Sequence, residues 1–277
     1  MTRTRAPVID GHCHAGTGDG LLGPWDTAAP LGAYLRRADA AGISKTVIMA
    51  PFHSDYAVAN AEVARIAAQH QGRLIPFAFV HAKRDAGRIG QMVSHAVREW
   101  GFRGIKVHRK DAPATREVCE VALEFGLPVL YDPLGEMSLV ELIVPEYPGV
   151  NFIIPHFGSF ADDWHAHAQL IDQMERFPNL YADTSGVKRF DYLVEAVTRL
   201  GPRRIIFGSD GPWLHPGLEL AKIHLLGLPS GYRELISGGN IARLIRPRPG
   251  PALRRQRWVL PGLSRRVRSG AVVAHGR

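Results

Sequence analysis

The segment Val8-Ile9-Asp10-Gly11-His12-Cys13-His14 sets two imidazoles two positions apart at the end of a short apolar run. In an extended strand alternate side chains share a face, so His12 and His14 point one way and Cys13 the other. Two imidazoles side by side at a strand end can chelate a divalent ion. Other groups able to bind metal or carry protons close further apolar runs: His53, His81, Lys106 with His108, Asp132, His156, Asp183 with Ser185, and Asp210. Polar groups at buried strand ends cost free energy unless paired, and a shared ion would offset that cost.

Those groups meet only if the chain gathers the run ends at one place. Eight β-branched and aromatic-rich runs recur, at 8–14, 46–51, 74–81, 104–108, 128–132, 151–156, 180–185 and 204–210. Their nearly continuous apolarity suits parallel strands buried on both faces. Between them, 31–41, 59–69, 89–100, 115–125, 164–177 and 192–200 space apolar residues three and four apart, as amphipathic helices do, and 137–144 is a shorter helix candidate. Several of these end at Gly42, Gly72, Gly101, Gly126, Pro178 or Gly201, which are helix stops. Eight strand–helix units of about 25–30 residues predict an α/β fold, a (β/α)₈ TIM barrel. An open doubly wound sheet would carry a dinucleotide fingerprint after its first strand, and Gly16-Thr17-Gly18-Asp19-Gly20 lacks that spacing.

In such a barrel chemistry sits at the carboxyl ends of the strands, where these groups fall. Each also has a plain reading. His156 could simply be satisfied by a backbone carbonyl, and Asp210 could cap the next helix. Lys106 and His108 share a parity and can both face the pocket; Lys106 could hold a substrate anion or serve a structural ion pair. Arg103, Arg109 and Lys110 flank the same run and suggest an anionic substrate. Trp25, Phe52, Phe157, Phe160 and Trp213 could line a flat pocket. Cys13 is expected in the core, His165, His167 and His215 at the surface.

Taken together, His12-Cys13-His14, Gly104-Ile105-Lys106-Val107-His108, His156-Phe157-Gly158, Gly208-Ser209-Asp210 and Gly238-Gly239-Asn240-Ile241-Ala242-Arg243-Leu244 resemble the amidohydrolase superfamily. The likeness spans residues 8–245 and is to the branch that includes aminocarboxymuconate-semialdehyde decarboxylase. It implies a barrel with a divalent ion, usually zinc, with His12, His14, His156 and Asp210 as ligands. It also implies an activated water whose proton the Asp210 carboxylate helps to move. Asp132 stands where many relatives end their fifth strand with histidine, and no histidine lies between Tyr181 and Phe207 to match the extra catalytic histidine of the decarboxylases.

The expected activity is hydrolysis of a C–N or C–O bond in a small, anionic amide, lactone or ester. Asp210 would orient or deprotonate the water, and His108 or Lys106 would stabilise developing charge. Asp132 would be a further ligand or a proton carrier. A metal-dependent decarboxylase of an unsaturated or aromatic acid is the second reading, and an inactive barrel kept for binding is the third.

Charge narrows the partners. The net charge of +8 belongs to the segment 246–277, which holds nine arginines and no acidic residue; residues 1–245 together carry −1. We therefore read 1–245 as the barrel and 246–277 as a basic, proline-interrupted tail that aids solubility rather than a nucleic-acid site. No apolar run approaches the roughly 18 residues of a membrane helix. Two cysteines, Cys13 and Cys119, make no disulfide framework, so a reduced cytoplasmic setting is expected. Pairing into a homodimer is a further expectation.

Overall fold

A computed structural model describes residues 6–19 and 28–246. Trp25 and the tail 247–277 lie outside the described residues.

Strand and helix alternate along the chain. The order is β1 (Val8–His14), α1 (Leu31–Ala40), β2 (Ile43–Met49), α2 (Tyr56–Gln69), β3 (Leu74–Pro76), β4 (Ala78–Phe79) and α3 (Ile89–Trp100). Then follow β5 (Ile105–His108), α4 (Arg116–Phe125), β6 (Val129–Asp132), α5 (Met137–Ile143), β7 (Phe152–Ile154) and α6 (Trp164–Arg176). The last elements are β8 (Leu180–Asp183), α7 (Phe190–Leu200), β9 (Ile205–Ile206), α8 (Pro216–Leu225), α9 (Ser230–Glu234) and α10 (Asn240–Leu244). Helix α2 starts three residues before the predicted Ala59 because the Asp55 side chain caps it, accepting from the Ala57 N–H at 2.8 Å. Helices α3 and α4 stop at Gly101 and Gly126, both in the left-handed conformation.

Every strand pairing is parallel, in the orders β1-β2-β3 and β4-β5-β6-β7-β8-β9. Around Phe77, the break between β3 and β4, the ladder continues through Phe77 N–H to Ile48 O (2.9 Å) and Ala78 N–H to Gly104 O (2.9 Å). The last strand meets the first through Gly11 N–H to Phe207 O (2.9 Å) and Asp210 N–H to His12 O (2.8 Å). The sheet is thereby closed, β3 and β4 act as one strand, and the fold is the expected TIM barrel.

Two apolar cores follow from closure. Inside the barrel, Ile9, Val47, Met49, Phe77, Leu130, Ile153, Tyr181 and Ile206 pack together, with Ile241 and Leu244 of α10 covering the amino end. The larger core, which contains Cys13 and Cys119, fills the space between strands and helices. The chain segment before α10 sits so close to β1 that a Cβ on Gly238 would fall 2.2 Å from the Pro7 carbonyl oxygen. No described helix is long and apolar enough to cross a membrane.

Strand β1 departs from simple alternation. Ile9 faces the barrel interior, so strict period two would put Gly11 and Cys13 inside as well. A register shift between Asp10 and Cys13 inserts a bulge. Beyond it His12 and His14 turn inward and Cys13 turns toward the helices, the arrangement that the sequence predicts for this trio.

Candidate active site

The buried carboxylate of Asp10 anchors the bulge. Its Oδ1 accepts from the backbone N–H of His12 (3.1 Å) and of Ser209 (2.9 Å), and its Oδ2 from the hydroxyls of Tyr34 (2.6 Å) and Ser209. Burial pushes its carboxyl up to about 7 against the opposing pull of these hydrogen bonds. Asp10 thus ties the first strand to the turn that carries Asp210. Sequence reading passed over it, although an Asp two residues before a His-x-His inside an apolar strand needs a buried partner.

At the carboxyl end of the barrel, ligand atoms of His12, His14 and Asp210 all lie within 4.8 Å of one another. Asp210 Oδ1 is 3.6 Å from His12 Nε2 and 3.5 Å from His14 Nε2. The other ring nitrogens are committed. His12 Nδ1 donates to Asp183 Oδ2 at 2.8 Å, His14 Nδ1 to the Ala50 carbonyl at 2.9 Å, and His156 Nδ1 to the Ser185 carbonyl at 3.0 Å. Carboxylate and carbonyl oxygens only accept, so each Nδ1 carries the proton and each Nε2 a lone pair. Burial lowers the His12 imidazole to about 4, with the charge of Asp183 opposing, so no second proton sits there at neutral pH. His12 Nε2 is buried without a hydrogen-bond partner among the described residues.

Lone pairs facing a carboxylate oxygen across 3.5–3.6 Å are repulsive unless a cation lies between. The residues therefore fit a divalent ion by their own chemistry, since imidazole and carboxylate suit zinc and similar metals. His156 stands beside this trio, its ring 5.2 Å from that of His12, and outside the three-residue group.

The opposite wall is built differently. Asp132 Oδ2 is 3.2 Å from His108 Nε2 and 3.7 Å from His156 Nε2. His108 Nδ1 accepts the Lys110 N–H at 3.1 Å, so its proton is on Nε2 and points at Asp132. Burial raises the Asp132 carboxyl, but His108, His156 and Lys106 hold it well below the ordinary range. Burial likewise opposes ionisation of Asp210, and His14, His12 and His156 outweigh it. The Lys106 side chain is buried and makes no ion pair or hydrogen bond among the described residues. Burial lowers its ammonium group, with Asp132, Asp210 and Asp183 pulling the other way.

The backbone is strained where two of these groups sit. His156, Phe157 and Asp210 have φ of 55°, 51° and 53°, a region that side chains other than glycine rarely adopt. His167 steadies the first turn by donating from Nδ1 to the Phe157 carbonyl at 2.8 Å. It is fully buried, not at the surface as its place in the sequence suggests. Asp210 does not cap the next helix; His215 does.

Other expectations are redistributed. Among His53, His81 and His108, only His108 touches Asp132; His53 and His81 accept backbone N–H groups at Nδ1, from Asp55 and Arg84. Arg103 precedes β5 and so lies at the amino end of the barrel, away from the site. Arg109 is paired with Glu136 at 3.1 Å. Lys110 is exposed, which leaves Lys106 as the buried basic side chain of this strand. Phe52 packs on His108, Phe160 on His156 and Trp213 on His14, with ring centroids 4.7, 4.9 and 4.7 Å apart. Phe157 is buried among the helices instead.

No curated protein matches the chain at the level of sequence. Several solved structures share its fold. Over 88% of this chain and all of the other, the 5-carboxyvanillate decarboxylase of Sphingomonas paucimobilis aligns with a TM-score of 0.69 and 15% identity. A Pseudomonas putida protein provisionally assigned as a 2-pyrone-4,6-dicarboxylic acid hydrolase aligns at 0.68 and 20% identity, covering 87% and 97% of the two chains. A dihydroxybenzoic acid decarboxylase of Polaromonas sp. JS666, solved with manganese bound, aligns at 0.62 and 18% identity, covering 87% and 97%. The family model described as amidohydrolase matches residues 9–246, and with the closed barrel and its histidine–aspartate trio, the chain belongs to that family.

Proposed function

We propose that this chain is a divalent-metal-dependent enzyme that removes carbon dioxide from a small, flat organic acid. The observation that carries the metal part is the convergence of two buried Nε2 lone pairs, from His12 and His14, on one Asp210 oxygen. His12, His14, His156 and Asp210 would hold a divalent ion, which would supply Lewis acidity toward a substrate oxygen. Lys106 offers the substrate a buried amino group that no other described residue engages in an ion pair or hydrogen bond. Phe52, Phe160 and Trp213, packed on His108, His156 and His14, offer ring surfaces to a flat substrate. In this reading the carbon–carbon bond to the substrate carboxylate breaks, carbon dioxide leaves, the bond's electron pair stays on the remaining carbon, and Asp210 relays a proton from solvent to that carbon. His108 keeps Asp132 ionised and oriented, and the pair sets the charge of the far wall.

The two decarboxylases of the same fold support this reaction, and one of them binds manganese. Hydrolysis, the first expectation from sequence, remains the second reading. It is favoured by the ionised Asp210 beside two imidazoles, where a base for water belongs, and by the hydrolase-like relative. The test is to strip the protein with a chelator, reload it with zinc or manganese, and offer hydroxylated aromatic acids and lactones. Metal-dependent release of carbon dioxide is expected. Lactone opening without carbon dioxide would favour the second reading, and full activity without metal would overturn both. We further take 1–245 as the catalytic unit and 246–277 as separable from it.

A further inference from the structure

Two charged side chains on α8 pair with each other, and all their other hydrogen bonds converge on one loop. Lys222 Nζ lies 2.6 Å from Glu219 Oε2, one helical turn away. The same ammonium donates to the carbonyls of Thr184 and Val187, both at 3.0 Å. Glu219 Oε2 accepts the Gly186 N–H at 2.8 Å. A fourth tie, Thr184 N–H to Ile206 O at 3.0 Å, fixes where the loop leaves β8. The loop 184–187 is therefore held on every side of Ser185. The two side chains are 17% and 12% exposed, so these contacts are little screened by water.

Ser185, whose N–H is itself tied to Asp183 Oδ1 at 2.6 Å, is the loop residue that meets both rings. Its carbonyl accepts the His156 Nδ1 proton, and its hydroxyl lies 3.0 Å from His156 Nδ1 and 3.2 Å from His12 Nδ1. Which nitrogen of an imidazole keeps its proton is set by the partner of the other nitrogen. A Ser185 carbonyl free to swing away would no longer hold the His156 proton on Nδ1, and the Nε2 lone pair would be lost for part of the time.

We propose that Glu219 and Lys222 are positioning residues for the histidine centre: they clamp the 184–187 loop so that Ser185 keeps His156 in its Nδ1–H form. The clamp sits on α8, the helix that follows Asp210 in the chain and begins at Pro216. This rests on the metal-centre reading above.

The test compares wild type with Lys222→Met, both metal-free, labelled with ¹⁵N-histidine and observed through long-range ¹H–¹⁵N spectra. In wild type, His12, His14 and His156 show the Nδ1–H pattern. In Lys222→Met, His156 shifts toward a mixture of tautomers. His14, held from the other side by Ala50, does not change and serves as the internal control. Zinc affinity, measured by competition with a chelating dye, falls about 10–100-fold, the usual effect of losing a group that orients a ligand. If Lys222→Met does not fold because Glu219 is left buried and unpaired, the double variant Lys222→Met/Glu219→Leu removes both charges and carries the same expectation. A folded variant with a lower Tm but unchanged His156 spectrum and zinc affinity would make the pair merely structural and overturn the proposal. Should wild type bind no zinc, the metal reading fails, and the His156 tautomer still decides this one.

Discussion

Six histidines lie at or just after the carboxyl ends of the barrel strands, and their hydrogen bonds divide them in two. His12, His14 and His156 donate from Nδ1 and leave Nε2 bare; His53, His81 and His108 accept at Nδ1 and keep the proton on Nε2. Only the first kind can ligate through Nε2. Asp183 decides the case of His12, since its Oδ2 takes the ring proton while its Oδ1 accepts the Ser185 N–H at 2.6 Å. Asp183→Asn keeps the shape but loses the charge, and can offer an N–H in place of an acceptor. We expect zinc or manganese affinity to fall about 10–100-fold with the fold intact, measured by titration calorimetry and circular dichroism. His12→Ala and Asp210→Asn should each abolish stoichiometric metal, read by elemental analysis of the purified protein. Lys106→Met should leave bound metal unchanged and raise KM for an anionic substrate; an unchanged KM would remove Lys106 from substrate binding.

At the scale of elements, the centre depends on close approaches between strand ends. A Cβ on Gly208 would come within 2.7 Å of Asp183 Oδ1 and 3.0 Å of the His12 Cβ. Gly208→Ala should therefore push Asp183 away from His12 and weaken metal binding more than it lowers stability, so affinity and Tm measured together separate the two effects. The β1 bulge relies on Asp10, whose ties cross the seam of the barrel. Tyr34→Phe removes one buried hydrogen bond to that carboxylate and should cost about 2 kcal/mol. Thermal unfolding should register this as a drop of roughly 3–4 °C. The extents of most strands and helices were legible in sequence because alternation of apolar runs with helical spacing reports burial directly. The bulge was not. An alternation pattern places His12 and His14 on one face, but whether that face is the barrel interior depends on a shift set by Asp10, Tyr34 and Ser209, which lie far apart in sequence.

For the whole molecule, closure of the sheet is what gathers the site. The proposed ligands come from the first strand and from the turns after β7 and β9, and meet only because β9 hydrogen-bonds back to β1. The segment 235–244 completes the amino end, where the Asn240 side chain donates to the carbonyls of Pro202 (2.6 Å) and Ile205 (2.7 Å). With both ends accounted for inside residues 8–246, a chain ending at Arg246 should fold and bind metal as the full chain does. Loss of either, seen by circular dichroism or metal analysis, would show that the basic segment is part of the barrel.

The sequence by itself determined the fold class, the strand ends that carry chemistry, and the pairing of His12 with His14 on one face, because strand periodicity and strand–helix alternation are local properties. Tertiary structure alone decided which nitrogen each histidine exposes. It also decided that Asp132 faces His108 and that the Lys106 side chain is buried without a partner among the described residues. Those outcomes turn on partners such as Asp183, Ala50 and Ser185, which local spacing cannot bring to the rings they orient.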